Sequence, residues 1–283
     1  MPTDPQEAVR RFFDDYGDRE WDRLEVDWRA RVSFELHRRF LSRFVSSGMR
    51  VLDIGAGAGR FTIELVRLGA TVHVADLSQV QLDLNARYVS AAGCEHGVAS
   101  RQRLDVCDLS VLGDAGFDAV VAYGGPLSYV FDRAPSALAE MVRVVRPGGH
   151  VLASVMTLAG NARYFLDSFL PVIDEVGLDR FEAFLAAGDQ RLVESAGAHA
   201  CQLMRWVDIE PLVSAAGAEL VAASASNWLS LAAPETVEVF TESPELWARF
   251  LDWEERLCAE PGAVEGGTHL LFRARRPGFG FSL

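Results

Sequence analysis

Residues 51–59 read Val51-Leu52-Asp53-Ile54-Gly55-Ala56-Gly57-Ala58-Gly59, and Arg60 and a helical apolar pattern follow. The first four residues are typical of a buried strand, and three glycines then alternate with two alanines. A strand, a glycine-rich turn and a helix bring backbone N–H groups and a helix N-terminus next to a bound ligand. The sequence therefore predicts an α/β fold with a ligand site at this turn.

The next predicted strand, residues 71–75, ends on Asp76, which lies 76 − 55 = 21 residues after Gly55. An acid at this distance can bind both hydroxyls of a ribose. A dinucleotide-binding turn would need a third glycine at the position of Arg60, because that glycine lets the helix pack on the strand. The spacing therefore disfavours a nicotinamide-dependent oxidoreductase.

The glycine turn, with Asp53 just before its first glycine, resembles motif I of the class I S-adenosylmethionine-dependent methyltransferases. Phe117-Asp118 and Pro147-Gly148-Gly149 resemble later elements of the same family. The resemblance implies S-adenosylmethionine as cofactor and S-adenosylhomocysteine as product. The cofactor-binding residues that it implies are Phe13, Trp21, Asp53, Gly55, Ala56, Gly57, Arg60, Asp76, Leu77, Asp105, Val106, Ala122 and Tyr123.

The family fold is Rossmann-like, with a seven-stranded, mostly parallel sheet whose last strand is antiparallel. We expect the remaining strands at residues 101–104, 117–122, 150–156, 220–226 and 269–275. Pro147 should stop the helix before the fifth strand, and residues 236–257 read as largely helical. The predicted single domain, 1–283, divides into an N-terminal helical cover (1–48), a cofactor-binding core (49–156), a helical cap inserted after strand five (157–205) and the rest of the sheet (206–283).

Several candidate residues allow two readings. In related methyltransferases aromatic residues of the cover close over the cofactor, as Phe13 and Trp21 would here, yet both could simply pack on the core. Asp105, at the end of the third predicted strand, stands where the family places an acid for the adenine amine, with Asp108 as its rival.

The segment Tyr123-Gly124-Gly125-Pro126-Leu127-Ser128-Tyr129 follows the fourth predicted strand, at the switch point where cofactor and substrate meet. It lacks the Asn/Asp-Pro-Pro-Tyr/Phe pattern of methyltransferases that act on base amines. We expect Tyr123 and His199 as catalytic residues and Tyr129, His199 and Trp206 on the substrate side. His199 is either a general base or a packing residue.

The composition excludes chemistry that depends on lysine. All 27 basic residues are arginines, so neither a Schiff-base lysine nor a phosphate-loop lysine exists. The four cysteines show no metal-binding spacing, and we expect no metal. The net charge of 27 − 40 = −13 opposes binding to nucleic acid or an anionic membrane. The chain has no apolar run near the length of a membrane span and no signal peptide, so we expect a cytoplasmic location.

These observations predict an enzyme that transfers a methyl group to O, N or C of a small molecule, such as an aromatic or natural-product intermediate. Two alternatives use the same cofactor site: intramolecular cyclisation of the cofactor, which releases methylthioadenosine, and a non-catalytic cofactor-binding partner subunit. The expected partners are the small-molecule substrate and at most a second copy of the chain in a homodimer.

Overall fold

The computed structural model describes residues 5–193 and 200–278. Seven strands form one sheet in the order β3-β2-β1-β4-β5-β7-β6. The strands are β1 (Arg50–Ile54), β2 (Thr71–Asp76), β3 (Val98–Arg103), β4 (Phe117–Ala122), β5 (Val145–Met156), β6 (Glu219–Ala225) and β7 (His269–Arg275). Only β7 of these runs antiparallel to its neighbours, β5 and β6. The predicted Rossmann-like sheet is confirmed.

Twelve helices accompany the sheet in the described residues. They are α1 (Pro5–Tyr16), α2 (Arg19–Asp22), α3 (Trp28–Ser42), α4 (Arg60–Arg67), α5 (Gln79–Ala91), α6 (Ala134–Val144), α7 (Leu158–Tyr164), α8 (Phe169–Val176), α9 (Leu178–Ala187), α10 (Trp206–Ala215), α11 (Pro234–Phe240) and α12 (Pro244–Cys258). Short 3-10 turns lie at Glu95–Gly97, Phe131–Arg133, Leu166–Ser168 and Gln190–Leu192. None of these helices is both long and apolar enough to pass through a lipid bilayer.

The sheet is buried on both faces, as a parallel sheet requires. In β1, Val51, Leu52 and Ile54 are each at most 1% exposed. One core cluster joins the sheet to α3, α4 and α5, and a second joins it to α6 and α10. Because the strands β1, β2 and β4 are parallel, their carboxyl ends meet at one edge of the sheet.

Two helical regions flank this edge. The helices α1 and α2 of the N-terminal cover precede the sheet, and α7, α8 and α9 follow β5 in the predicted cap. The cap has its own apolar cluster, in which Phe181 and Phe184 of α9 pack with Leu158 and Leu203. The sequence therefore placed both helical additions correctly.

Prolines set two boundaries that differ from the sequence prediction. The helix α6 ends at Val144, and the chain is already extended at Val145, whose ψ is 139°. Pro147 disfavours helical backbone at the residue before it, so β5 begins two residues ahead of the proline. The predicted helical stretch 236–257 is two helices, because Ser243 caps α12 and Pro244 occupies its first turn.

β3 begins at Val98, three residues before the predicted start.

Candidate active site

A cavity of about 290 Å³ opens at the carboxyl ends of β1, β2 and β4, beneath α1 and α2. Most of the predicted site residues line it. They are Phe13, Asp53, Gly55, Ala56, Gly57, Arg60, Asp76, Leu77, Asp105, Val106, Tyr123 and Tyr129. The fold therefore brings together side chains that are spread over more than a hundred positions of the chain.

The glycine turn has a backbone that only glycine adopts readily. The φ angles of Gly55, Gly57 and Gly59 are +67°, +51° and +98°. A Cβ atom added to Gly55 would lie 2.6 Å from Cγ of Pro126. Alternating glycines thus let the chain turn sharply from β1 into α4 and keep its backbone against the cavity.

Asp76 ties this turn to the end of β2. Its carboxylate accepts hydrogen bonds from the backbone N–H of Gly57 at 2.9 Å and from the N–H of Ser78 at 2.9 Å. Burial raises the pKa of Asp76 to about 6, although these hydrogen bonds oppose the rise. The acid predicted for the ribose therefore lines the cavity next to the glycine turn and is costly to ionise without a cationic or hydrogen-bonding ligand.

Asp53 is also buried, at the end of β1. Its carboxylate accepts a hydrogen bond of 2.6 Å from Oγ1 of Thr62 on α4. Burial raises the pKa of Asp53 to about 7, and the neighbouring Asp76 adds to the rise. Two acids with raised pKa values in one cavity are a feature of functional sites.

The raised pKa of Asp53 makes a testable prediction about stability. An aspartate whose folded pKa lies above its unfolded value of 3.8 favours the folded state at low pH, and this contribution is lost as pH rises through about 7. We expect Asp53→Asn, which can still accept the bond from Thr62, to gain stability relative to the parent as pH rises from about 5 to about 8. Urea unfolding of the unliganded proteins measures this difference. If the gain in unfolding free energy of Asp53→Asn over the parent stays constant or shrinks over that pH interval, ionisation of the buried Asp53 does not cost stability.

Polar contacts join the N-terminal cover to the loops after β2 and β3. Gln6 Nε2 donates to Asp105 Oδ1 at 2.8 Å, and Arg133 Nη2 donates to Asp105 Oδ2 at 3.1 Å. Gln81 Nε2 donates to the backbone oxygen of Phe13 at 2.9 Å, while its own Oε1 is buried without a hydrogen-bond partner within the described chain. Asp108, the rival of Asp105, is exposed in the following turn and does not line the cavity.

Three predicted site residues do not line the cavity, so their predicted placement needs correction. Trp21 stacks on Tyr88 with ring centroids 3.9 Å apart, and the guanidinium of Arg60 covers it at 3.8 Å. Ala122 is fully buried in the sheet core. Trp206 begins α10 and packs against the same core cluster. Its backbone N–H donates a hydrogen bond to the carboxylate of Glu265.

The other prediction for this region, His199, lies outside the described residues. Tyr123, the second predicted catalytic residue, lines the cavity at the end of β4. Its hydroxyl is buried and has no hydrogen-bond partner in residues 5–193 and 200–278. Burial raises the pKa of Tyr123 far above its ordinary value, so the phenol remains protonated.

The sequence analysis missed a second group of cavity residues, which come from α2, from the residue after it and from β7. Arg23 Nε donates to Glu20 Oε1 at 2.7 Å, and a Cβ atom at Gly57 would lie 3.3 Å from Cγ of Glu20. His269 lines the cavity at the start of β7. No local pattern identifies these residues, because α2 has only four residues and β7 follows the glycine turn by more than two hundred.

The described chain contains no cluster of three or more His, Cys, Asp or Glu side chains that could hold a metal ion. No disulfide is present among the four cysteines, which all lie in the described residues; Cys94, Cys201 and Cys258 are buried, and Cys107 is partly buried. The cavity instead has a glycine turn, buried carboxyls and aromatic walls. This combination suits an organic ligand that carries hydroxyls and positive charge.

Comparison with known proteins agrees with this geometry. Residues 51–149, from β1 to the start of β5, match the sequence profile of a family described as a methyltransferase domain. This segment is similar to the methyltransferase domain family. The match covers the glycine turn, Asp76 and the loops after β3 and β4, which supply most of the cavity on the β1–β3 side.

Two curated relatives that are named as methyltransferases match part of the chain. The chain is 38% identical over 123 residues to a ubiquinone biosynthesis O-methyltransferase of Alkalilimnicola ehrlichii. This alignment covers 44% of this chain and 47% of that protein. It is 35% identical over 120 residues to a demethylmenaquinone methyltransferase of Mycobacterium bovis, covering 42% and 46%. The chain therefore spans about half the length of the curated relatives that it matches.

A solved structure extends the likeness of the fold beyond this segment. The 1,6-didemethyltoxoflavin-N1-methyltransferase of Burkholderia thailandensis, solved with 1,6-didemethyltoxoflavin and S-adenosylhomocysteine, matches with a TM-score of 0.55. The match covers 98% of this chain and 92% of that chain at 17% identity. At this identity the similarity shows the fold.

Proposed function

We propose that the protein transfers a methyl group from S-adenosylmethionine to an O, N or C atom of a small molecule, such as an aromatic or natural-product intermediate. The observation that carries this proposal is the meeting of the positive-φ glycine turn and the buried Asp76 in one cavity with aromatic walls. The names of the curated relatives, which refer to ubiquinone biosynthesis and demethylmenaquinone, also point to small-molecule acceptors.

The lining residues fit the parts of this cofactor. Gly55 and Gly57 line the cavity with backbone alone, which lets a ligand come close to the turn and suits the methionine part. Asp76 can accept from the ribose hydroxyls, and Asp105 with Val106 can frame the adenine. The unpartnered Oε1 of Gln81 offers a further acceptor in the same wall.

The charges of the cavity also suit the cofactor. Four acids line it, Glu20, Asp53, Asp76 and Asp105, against the guanidinium groups of Arg23 and Arg60. An excess of carboxyl groups favours a ligand with a positively charged centre. When bound, S-adenosylmethionine supplies a methyl group on a sulfonium, which is already activated for transfer.

With an activated methyl group, the protein has to align the acceptor and exclude water. Alignment of two reactants can lower a barrier by roughly 7–11 kcal/mol. Phe12 and Phe13 of α1, Tyr129 and Met156 form apolar walls of the cavity. We propose that the acceptor binds between these walls, with Tyr123 beside it. The cover, which lines one wall of the cavity, then keeps the methyl group away from solvent.

The cofactor assignment is tested by titration calorimetry with S-adenosylhomocysteine and, in parallel, with NAD. We expect S-adenosylhomocysteine to bind with a micromolar or lower dissociation constant and NAD to show no measurable binding. Mass spectrometry of reaction products should detect S-adenosylhomocysteine rather than methylthioadenosine. Tight NAD binding would point to an oxidoreductase, and methylthioadenosine as product would point to intramolecular cyclisation of the cofactor.

We further propose that the enzyme works in the cytoplasm on free small molecules, as a monomer or a homodimer. The net charge of −13 supports this, because an acidic protein is repelled by nucleic acid and by anionic membrane surfaces.

A further inference from the structure

His269 occupies the end of the cavity opposite the predicted adenosine site. It is the first residue of β7 and pairs across the sheet with Met156, the last residue of β5, and both side chains line the cavity. Four strand spacings separate β7 from β2, which carries Asp76. At about 4.8 Å per spacing this is about 19 Å, so His269 faces the acceptor rather than the adenosine.

The surroundings of His269 keep its ring neutral. Burial holds the pKa of His269 well below its ordinary value, and His37 of α3 and Arg23, the residue after α2, lower it further. The centroid of the His37 ring lies 5.7 Å from that of His269, and the ring of Tyr123, the residue after β4, lies 5.1 Å from His37. A neutral imidazole has one ring nitrogen with a free lone pair, which can accept a proton.

The hydrogen bonds of the two histidines separate their roles. His37 Nδ1 contacts the backbone oxygen of Ser33 at 2.7 Å within its own helix, and the residue is 4% exposed and does not line the cavity. His269 Nδ1 lies 3.3 Å from Oγ1 of Thr268, which can fix the ring orientation. His37 is therefore a packing neighbour, and His269 is the histidine that a ligand can contact.

The aromatic rings that line the cavity favour a flat, aromatic acceptor. Phe13 meets Tyr129 edge to face, with ring centroids 5.3 Å apart, and Phe12 stacks on Tyr16 at 5.3 Å. All four rings line the cavity. Aromatic rings packed in this way bind another ring by edge or face contact.

We propose that His269 is the proton acceptor for an aromatic hydroxyl on the methyl acceptor, which makes the substrate a phenol-type ring. The inference rests on the proposed methyl transfer. In that step a lone pair of the hydroxyl oxygen forms the new bond to the methyl carbon. The carbon–sulfur bond breaks, and its electron pair stays on sulfur. The hydroxyl oxygen becomes strongly acidic as it gains the methyl group, and its proton then moves to the free ring nitrogen of His269. Burial, His37 and Arg23 disfavour the resulting imidazolium, which therefore releases the proton to water.

Phenol and anisole test this role by binding alone, because they differ in the hydroxyl hydrogen that His269 would accept. We expect phenol to bind the protein saturated with S-adenosylhomocysteine about tenfold or more tightly than anisole in calorimetry, the effect of one hydrogen bond. His269→Leu should abolish this preference and keep the affinity for S-adenosylhomocysteine within about twofold. His96→Leu, at an exposed histidine outside the cavity, should keep the preference.

Three outcomes would overturn the assignment: no measurable phenol binding, equal binding of phenol and anisole to the parent, or a preference that survives in His269→Leu. If His269→Leu loses its fold, nitrogen NMR of the parent decides, since phenol but not anisole should shift the unprotonated ring nitrogen of His269. An unchanged spectrum refutes the proposal. Failure of the parent to bind S-adenosylhomocysteine would instead refute the proposed function.

Discussion

Gly57→Val is expected to weaken binding of S-adenosylhomocysteine by at least about a hundredfold, while the protein remains folded. Gly57 has a φ of +51°, and its N–H donates to Asp76 at 2.9 Å. A β-branched side chain is strained in this conformation by about 1–3 kcal/mol. It would also extend from a Cβ that already lies 3.3 Å from Glu20, into the space proposed for the methionine part of the cofactor.

Gly93→Val is a matched control for the strain alone. Gly93 has a φ of +70°, and a Cβ atom there would meet no other atom within 4 Å. This variant should lose stability and keep its affinity for the ligand. Calorimetry gives the affinity, and circular dichroism shows whether each variant is folded. Wild-type affinity in a folded Gly57→Val would show that the turn does not hold the cofactor.

Asp76→Ala is expected to weaken binding of S-adenosylhomocysteine by about 1.5–3 kcal/mol, the usual range for a lost hydrogen bond to a charged group. The carboxylate lines the cavity and also supports the N–H groups of Gly57 and Ser78. Asp76→Asn keeps one side-chain oxygen and should fall between the parent and the alanine variant. Asp108→Ala removes an exposed acid away from the cavity and should leave the affinity unchanged. Equal affinities in all four proteins would exclude Asp76 from ribose binding.

The part of the site that the sequence could predict is local in the chain. Residues 51–59 combine an apolar strand with alternating glycines, and the three glycines do have the positive φ angles that such a turn needs. Asp76 was found because it ends the next strand at a fixed distance from Gly55. These features depend on neighbouring residues and on the regular geometry of a strand–turn–helix unit.

The rest of the site depends on tertiary packing. Periodicity shows that α1 is amphipathic, but it does not show which aromatic ring of the cover faces the cavity. Phe13 therefore lines the cavity, whereas Trp21 is drawn outwards by stacking on Tyr88 and by the guanidinium of Arg60. His269 reaches the cavity because β7 pairs with β5, a contact between strands more than a hundred residues apart.

The position of β7 also determines the order in which the sheet can be completed. β6 forms its ladder with β7 and has no pairing with β5, so it cannot join the sheet before β7 is present. Until residues 269–275 have been synthesised, β5 is an open edge of the kind that promotes aggregation. A truncation ahead of His269 would therefore remove β7 and leave β6 without a partner strand. During synthesis, the edge of β5 stays unpaired until nearly the whole described chain has been made.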